Sequence, residues 1–321
     1  ASRSCDPPER SVRSRRLTAA LLAWVLLACA VLTACAGSPG TGPTGAPQPD
    51  PSASGPPVGE ATPAAGGGGS GYPQPRPATR PSATSRVGAS WRVGARPLPL
   101  RPDGFGEVLP TPAALRDRRL PTVDRLPPPA GGRFRSAIRP VGPAVRARMG
   151  ATWRPGCPVG RADLRYVTVS FHGFDGRPHT GELVVNERVA AQVVSVFARL
   201  YRARFPIEAM RLVTTADLEA HPSGDGNNTA AFTCRAARKQ TRWSAHAYGL
   251  AVDVNPFQNP YRRGDLVLPE LAGAYLDRGD RRPGMISPGG VVTRAFAAIG
   301  WTWGGTWRSP RDLMHFSATG G

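Results

Sequence analysis

Between residues 187 and 204, apolar side chains return at Val189, Val193, Val196, Phe197, Leu200 and Tyr201, the three-and-four spacing of one helix face. Asn186 stands where an N-cap belongs, Glu187 sits in the first turn, and Pro206 stops the helix. The stripe reads as core rather than as a cofactor site. Upstream, residues 164–170 (LRYVTVS) and 182–185 (ELVV) are β-rich, separated by FHGFDGRPHTG with the Gly, Pro and Asp of a loop. Downstream, 210–214 reads as a strand, 221–228 (HPSGDGNN) as a loop, and 249–255 leads into a strand. Residues 291–299 suggest another helix with Gly300 as its cap, and 301–307 (WTWGGTW) a strand and turn. Strands and helices without regular βαβ alternation predict a compact α+β domain over 151–321, a small antiparallel sheet flanked by helices.

The pattern fails in the first half of the chain. Residues 35–150 are rich in Pro, Gly and Arg, with runs such as SPGTGPTGAPQPDPSASGPPVG and GGGGSGYPQPRPATRPSATS and no sustained apolar periodicity. They read as a long, mostly disordered spacer, with 110–148 left open as a segment that covers part of the domain surface. Ahead of them, Arg10, Arg13, Arg15 and Arg16 precede the apolar run LTAALLAWVLLACAVLTA, so 1–34 reads as an export signal. Its end, Leu32-Thr33-Ala34-Cys35, resembles the bacterial lipobox, which implies lipid on Cys35. The alternative is an uncleaved transmembrane helix with a chance cysteine.

Charge changes the picture little. The net charge is +19, and the first 150 residues hold 20 basic against 8 acidic side chains, so the excess sits where no core is expected. All basic residues but Lys239 are arginine, and no basic stripe interleaves with aromatics, which argues against nucleic-acid binding. A basic tail near anionic headgroups or wall polymers fits better. Of five cysteines, Cys5 and Cys29 lie in the signal and Cys35 takes the lipid, leaving Cys157 and Cys234 as a disulfide pair in an exported domain. Two separate buried thiols are the alternative.

The chemistry lies in SAHAYGLAVDVNP, residues 244–256, and DLMHF, residues 312–316. His246 and Asp253 are too far apart on a helix or a straight strand to grip one ion, so the chain must fold back between them, and Gly249 can make that bend. Val252 and Val254 would then face a core and Asp253 the other side, a partly buried carboxylate in need of a partner. His315, flanked by apolar residues, supplies a third ligand. Two histidines and a carboxylate leave the fourth position of one zinc ion open for water. Asp312, three residues before His315, suits the role of a base beside the metal.

Together the two strings resemble the zinc D-alanyl-D-alanine carboxypeptidase family of the VanY type, whose pattern is Ser-x-His-x-x-Gly-x-Ala-x-Asp followed by a late acidic-x-x-His. The resemblance implies metal ligands at His246, Asp253 and His315, with Asp312 as catalytic base. It implies that Arg235 binds substrate or the developing oxyanion, where the alternative is a solvated surface arginine, and that Ser244 orients the site or the substrate. Tyr248, Trp303 and Trp307 are candidates to line a substrate cleft, with core packing expected of at least one. His172, His179 and His221 read as ordinary loop residues. The function implied is hydrolysis of peptidoglycan stem peptides, by removal of terminal D-alanine or by an internal cut of the L-alanyl-D-glutamate type. The enzyme would be a monomer held by lipid on the outer face of the bacterial cytoplasmic membrane, facing the wall. A silent zinc module that binds wall or partner proteins is the contrasting reading.

Overall fold

Three strands and one long helix form the base on which the rest is built. The computed structural model describes residues 91–238 and 240–320; the export signal, Cys35 and the spacer up to residue 90 lie outside the described residues. Strands β1 (Ser136–Pro140), β2 (Leu164–His172) and β3 (Pro178–Asn186) form an antiparallel sheet in that order. β2 and β3 pair from Leu164↔Asn186 to His172↔Pro178, so both strands extend into the stretch expected to be loop. Only 173–177 turns, with Gly173 N–H donating to the Arg177 carbonyl at 2.9 Å.

Asn186 ends β3 and caps the next helix, its side chain accepting from Arg188 N–H, a contact worth about 1 kcal/mol. The expected amphipathic stripe then lays its helix on the sheet: Val189, Val193, Val196, Phe197 and Leu200 are buried against Val167, Val169, Leu183 and Val185. Each such side chain contributes about 1.5–3 kcal/mol. The other face of the sheet, through Leu164 and Val184, meets Val141, Met149, Leu212 and Phe232. Both faces are therefore covered, and 183–185 (LVV) is a continuous apolar run rather than an alternation.

The remaining elements are short. Among the described residues the helices are α1 (Ala113–Arg116), α2 (Pro143–Met149), the long α3 (Glu187–Arg202), α4 (Thr215–Glu219) and α5 (Val291–Ala297). β4 (Ala209–Met210) and β5 (Asn228–Thr229) form a parallel pair, the first being all that exists of the strand expected over 210–214. β6 (Ala251–Asp253), β9 (Thr302–Trp303) and β11 (His315–Ser317) make a sheet in the order β6-β11-β9. β7 (Tyr261–Arg263), β8 (Leu266–Leu268) and β10 (Arg311–Asp312) make another, in the order β10-β7-β8. α5 joins α3 through the core, where Phe296 stacks on Phe316 with centroids 4.0 Å apart. No helix among the described residues is long and apolar enough to cross a membrane. The fold is mixed, with small antiparallel sheets and few helices, as the α+β expectation had it.

The domain starts earlier than residue 151. Leu98, Leu115 and Leu120 are buried against Phe257, Leu271 and Tyr275, and β1 pairs along β2. Arg118, 1% exposed, donates from Nε and Nη2 to both Glu208 oxygens at 2.7 and 2.6 Å and from Nη1 to the Asp225 carbonyl at 2.8 Å. Its guanidinium lies over the Phe257 ring at 4.4 Å. Asn227 donates to Glu208 as well, at 2.7 Å. Trp91 Nε1 donates to Asp225 at 2.9 Å, and Gly106 N–H to Glu270 at 2.9 Å. Residues 91–150, assigned from composition to the spacer, are thus part of the packed unit. Two of the histidines assigned to loops are also buried in strands: His172 stacks on Tyr201 at 4.3 Å, and His179 lies between Asp124 and Asp175. His221 is an exposed loop residue, as expected.

Replacing Arg118 by Ala strands a buried carboxylate, so a loss of about 3–5 kcal/mol is expected, read as a lower urea midpoint. A chain begun at residue 151 also loses β1 and the Leu115–Leu120 contacts. It should unfold at clearly lower urea than one begun at residue 91; equal midpoints would refute the docking of this segment.

Candidate metal centre

His246, Asp253 and His315 arrive from three directions of the local chain. Ser244 opens a tight turn over Ala245–Tyr248, its hydroxyl accepting from His246 N–H at 3.3 Å. Gly249 closes the turn with φ +68, and a Cβ there would stand 2.5 Å from the Asn186 backbone nitrogen. Only glycine both accepts this conformation and lets the turn pass so near β3. The chain then reverses into β6, and Asp253 comes back toward His246. The bend expected between the two ligands is therefore real, and Val252 and Val254 are fully buried beneath it.

β6 and β11 pair antiparallel with Asp253 directly opposite His315. Opposed residues share a face about 5 Å apart, so sheet register alone brings these two ligands together. His315 Nδ1 stands 3.0 Å from Asp253 Oδ1, His246 Nε2 3.2 Å from the same oxygen, and the two ring nitrogens 3.1 Å from each other. His246 Nδ1 is held by the Ala231 carbonyl, which leaves the Nε2 lone pair for the centre.

A triangle of two imidazole nitrogens and a carboxylate oxygen suits a cation. Ligand atoms about 2.0–2.1 Å from a tetrahedral zinc stand about 3.3 Å apart, close to the edges found. Lone pairs this near, in a largely buried place, repel one another unless a proton or a metal lies among them. These three are the one group of potential ligands found close enough to hold an ion among the described residues. Two imidazoles and a carboxylate are a donor set for zinc.

The centre opens into a cavity of about 470 Å³ lined by Arg235, Arg238, Ser244, Tyr261, Trp307 and Asp312 among others. Asp312 ends β10, opposite Tyr261. Its Oδ1 is buried with no hydrogen-bond partner among the described residues. Burial, and then the nearby Asp253 charge, push its carboxyl up to about 7. Asp253 behaves oppositely: burial alone would raise it, but His246 and His315 hold it well below the usual carboxylate range. Arg235 is lowered to about 10 by burial and then by Arg238, and remains a cation at neutral pH. The Cys157–Cys234 disulfide, Cα atoms 5.8 Å apart, tethers the residue before it.

Of the residues expected to meet substrate, Arg235 and Ser244 line the cavity and two do not. Trp303 is buried in the core, its indole donating to the Leu313 carbonyl at 2.9 Å and its ring stacked near Phe316. Tyr248 is 37% exposed and is not among the residues that line the cavity. Trp307 is the aromatic that fills the expected place, 5.5 Å from the His315 ring. Arg238, Arg263 and Tyr261 also line the cavity, and no motif in the sequence marks them for it.

Residues 237–318 match a family model described as D-alanyl-D-alanine carboxypeptidase. The match spans both motifs, with His246, Asp253, Asp312 and His315 inside it, and supports the family read from them. No curated protein and no solved structure matches the chain.

Without metal, Asp312 has a sign-definite effect on stability. Its folded carboxyl keeps a proton up to about pH 7, whereas the unfolded group releases it near 3.8, so the metal-free domain loses stability as pH rises across that interval. Asp312→Asn removes this loss. Calorimetry in chelator should show the variant's midpoint raised relative to the parent at pH 8 and little changed at pH 4; a lowered midpoint at pH 8 would contradict the assignment.

Proposed function

We propose that this domain, with its match to the D-alanyl-D-alanine carboxypeptidase family, is a zinc-dependent peptidase of the bacterial envelope. It removes terminal D-alanine from peptidoglycan stem peptides. The observation that carries this reading is the Asp312 carboxyl, its Oδ1 buried without a hydrogen-bond partner among the described residues, in the same cavity as the His246–Asp253–His315 triangle. A site that only holds a metal for stability has no use for a free acid beside it, which disfavours the silent binding module.

One zinc ion held by His246, Asp253 and His315 would polarise the scissile carbonyl and acidify a water. Asp312 takes the proton as the water oxygen adds to the carbonyl carbon, and returns it to the amine as the C–N bond breaks. A group near neutrality performs both transfers, and a cation nearby draws it toward the ionised form the first transfer needs. Arg235 presents a fixed cation to the negative charge that gathers on the carbonyl oxygen or to the substrate's terminal carboxylate. Ser244 acts indirectly, by capping the turn that aims His246. Outside the described residues, lipid on Cys35 would hold the enzyme at the outer membrane face, with the proline-rich stretch before residue 91 as its reach toward the wall.

Digestion of purified muropeptides with zinc, read by mass spectrometry beside a chelated control, tests the reading. Loss of one alanine from a pentapeptide stem supports it; two fragments from an internal cut would make the enzyme an endopeptidase. Asp312→Ala should still bind zinc while its hydrolysis falls by about 10²-fold or more. Turnover retained in that variant would remove Asp312 from the mechanism.

A further inference from the structure

The N-terminal segment sets a second recess against the metal cavity. Leu100 bridges Gly106, and Arg101 N–H donates to the Phe105 carbonyl at 2.7 Å, closing a tight loop beside β7 and β8. The recess between them, about 160 Å³, is lined by Arg101, Asp103, Phe105, Asp265 and Leu266 on its own account. Arg238, Tyr261 and Arg263 line both this recess and the metal cavity. The two spaces therefore meet along three side chains, two of them cationic.

The cations differ in how they are satisfied. Arg101 pairs with Asp103 and Asp265 at 3.3 and 3.0 Å. Arg238 and Arg263 have no carboxylate within ion-pair distance among the described residues. Arg238 instead lies between aromatic faces, 5.6 Å from the Phe105 ring and 5.8 Å from that of Tyr261. Such faces hold a guanidinium in place without neutralising it. Arg263 shares a strand face with Tyr261, while Arg262 alternates to the other face. Two unneutralised guanidinium groups at the junction of two cavities are suited to an anion.

We propose that the metal cavity and the recess form one cleft, in which Arg238 and Arg263 receive a second carboxylate of the substrate, upstream of the scissile bond. The domain then selects peptides with a free acid there over their amides. The identity of the substrate as a peptide rests on the peptidase reading above; the anion site rests on the two arginines, both exposed, and on Phe105 of the segment 100–106, whose ring lies beside Arg238. An amide in that place leaves both cations unpaired, so a discrimination of about tenfold is expected.

The test uses pentapeptides ending in D-alanyl-D-alanine, with glutamate or glutamine at the second or third residue. They are offered to the full chain and to its Arg238→Gln, Arg263→Gln and Arg262→Gln variants. Binding is read by calorimetry in chelator, where no hydrolysis occurs, and cleavage by mass spectrometry with zinc. The glutamate peptide should bind about tenfold more tightly at one of the two positions in the parent and in Arg262→Gln. That preference should shrink to about twofold or less in the other two variants. Equal binding of the peptide pair by the parent, or a preference that survives both substitutions, overturns the subsite. Cleavage of both peptides with equal binding leaves the peptidase reading standing and removes the subsite. An arginine-dependent preference without cleavage upholds the subsite and removes the peptidase reading.

Discussion

Three residue pairs between β6 and β11 hold the centre: Asp253 with His315, Val252 with Phe316, and Ala251 with Ser317. Alternation along the two strands sends the first pair to the cavity and the second to the core. Val252 and Phe316 are fully buried, and Phe316 stacks on Phe296 of α5. A slip of one residue would carry the ligands into the core and the phenyl ring into water. The apolar packing that stabilises the domain is therefore also what keeps Asp253 opposite His315, and the third ligand has only to be aimed at a pair already formed. The turn from Ser244 to Gly249 does that, pressed against the end of β3 where a side chain at 249 would collide.

Two carboxylates in one cavity end in opposite states. Asp253 lies between two imidazoles and stays ionised; Asp312, buried without a hydrogen-bond partner at one oxygen and near the Asp253 charge, keeps its proton to about pH 7. Groups whose surroundings separate their titration in this way can divide labour between them. Asp253 is suited to a cation, and in the proposed reaction Asp312 exchanges a proton. Reversing the roles would require moving the β6–β11 pairing, because only Asp253 is set opposite His315.

Each half of the centre was legible because it is a short string of nearly consecutive residues, although the pairing of β6 with β11 that joins them is written in neither. His246, Gly249 and Asp253 lie within eight residues, the bend is forced by their spacing, and Asp312 travels with His315. α3 was legible for the same reason, since its cap and apolar stripe are both written in consecutive residues. Roles that depend on distant packing were not. Trp303 and Trp307 are alike in sequence, four residues apart in WTWGGTW, yet one is buried by α5 and β11 and the other faces His315. Tyr261 and Arg263 gain meaning only once β7 pairs with β10 and carries them to Asp312.

The first half of the chain shows where composition misleads. Periodicity detects an element able to cover its own apolar face, and residues 91–150 contain little of that kind. Their order comes from single side chains set into a core made elsewhere: Leu98, Leu115 and Leu120 against Phe257 and Tyr275, Trp91 on Asp225, and above all Arg118 on Glu208. A fully buried arginine amid prolines looks, in sequence, like any solvated arginine. Its cost of burial is met only because Glu208 answers both arms of the fork, Asp225 its remaining nitrogen and Phe257 its flat face. Glu208 N–H is in turn bonded to Asn255, two residues beyond Asp253, at 3.3 Å. The docking of the segment and the strand end that carries a candidate metal ligand thus share one buried network, and the segment that composition sets apart from the domain is joined to its centre.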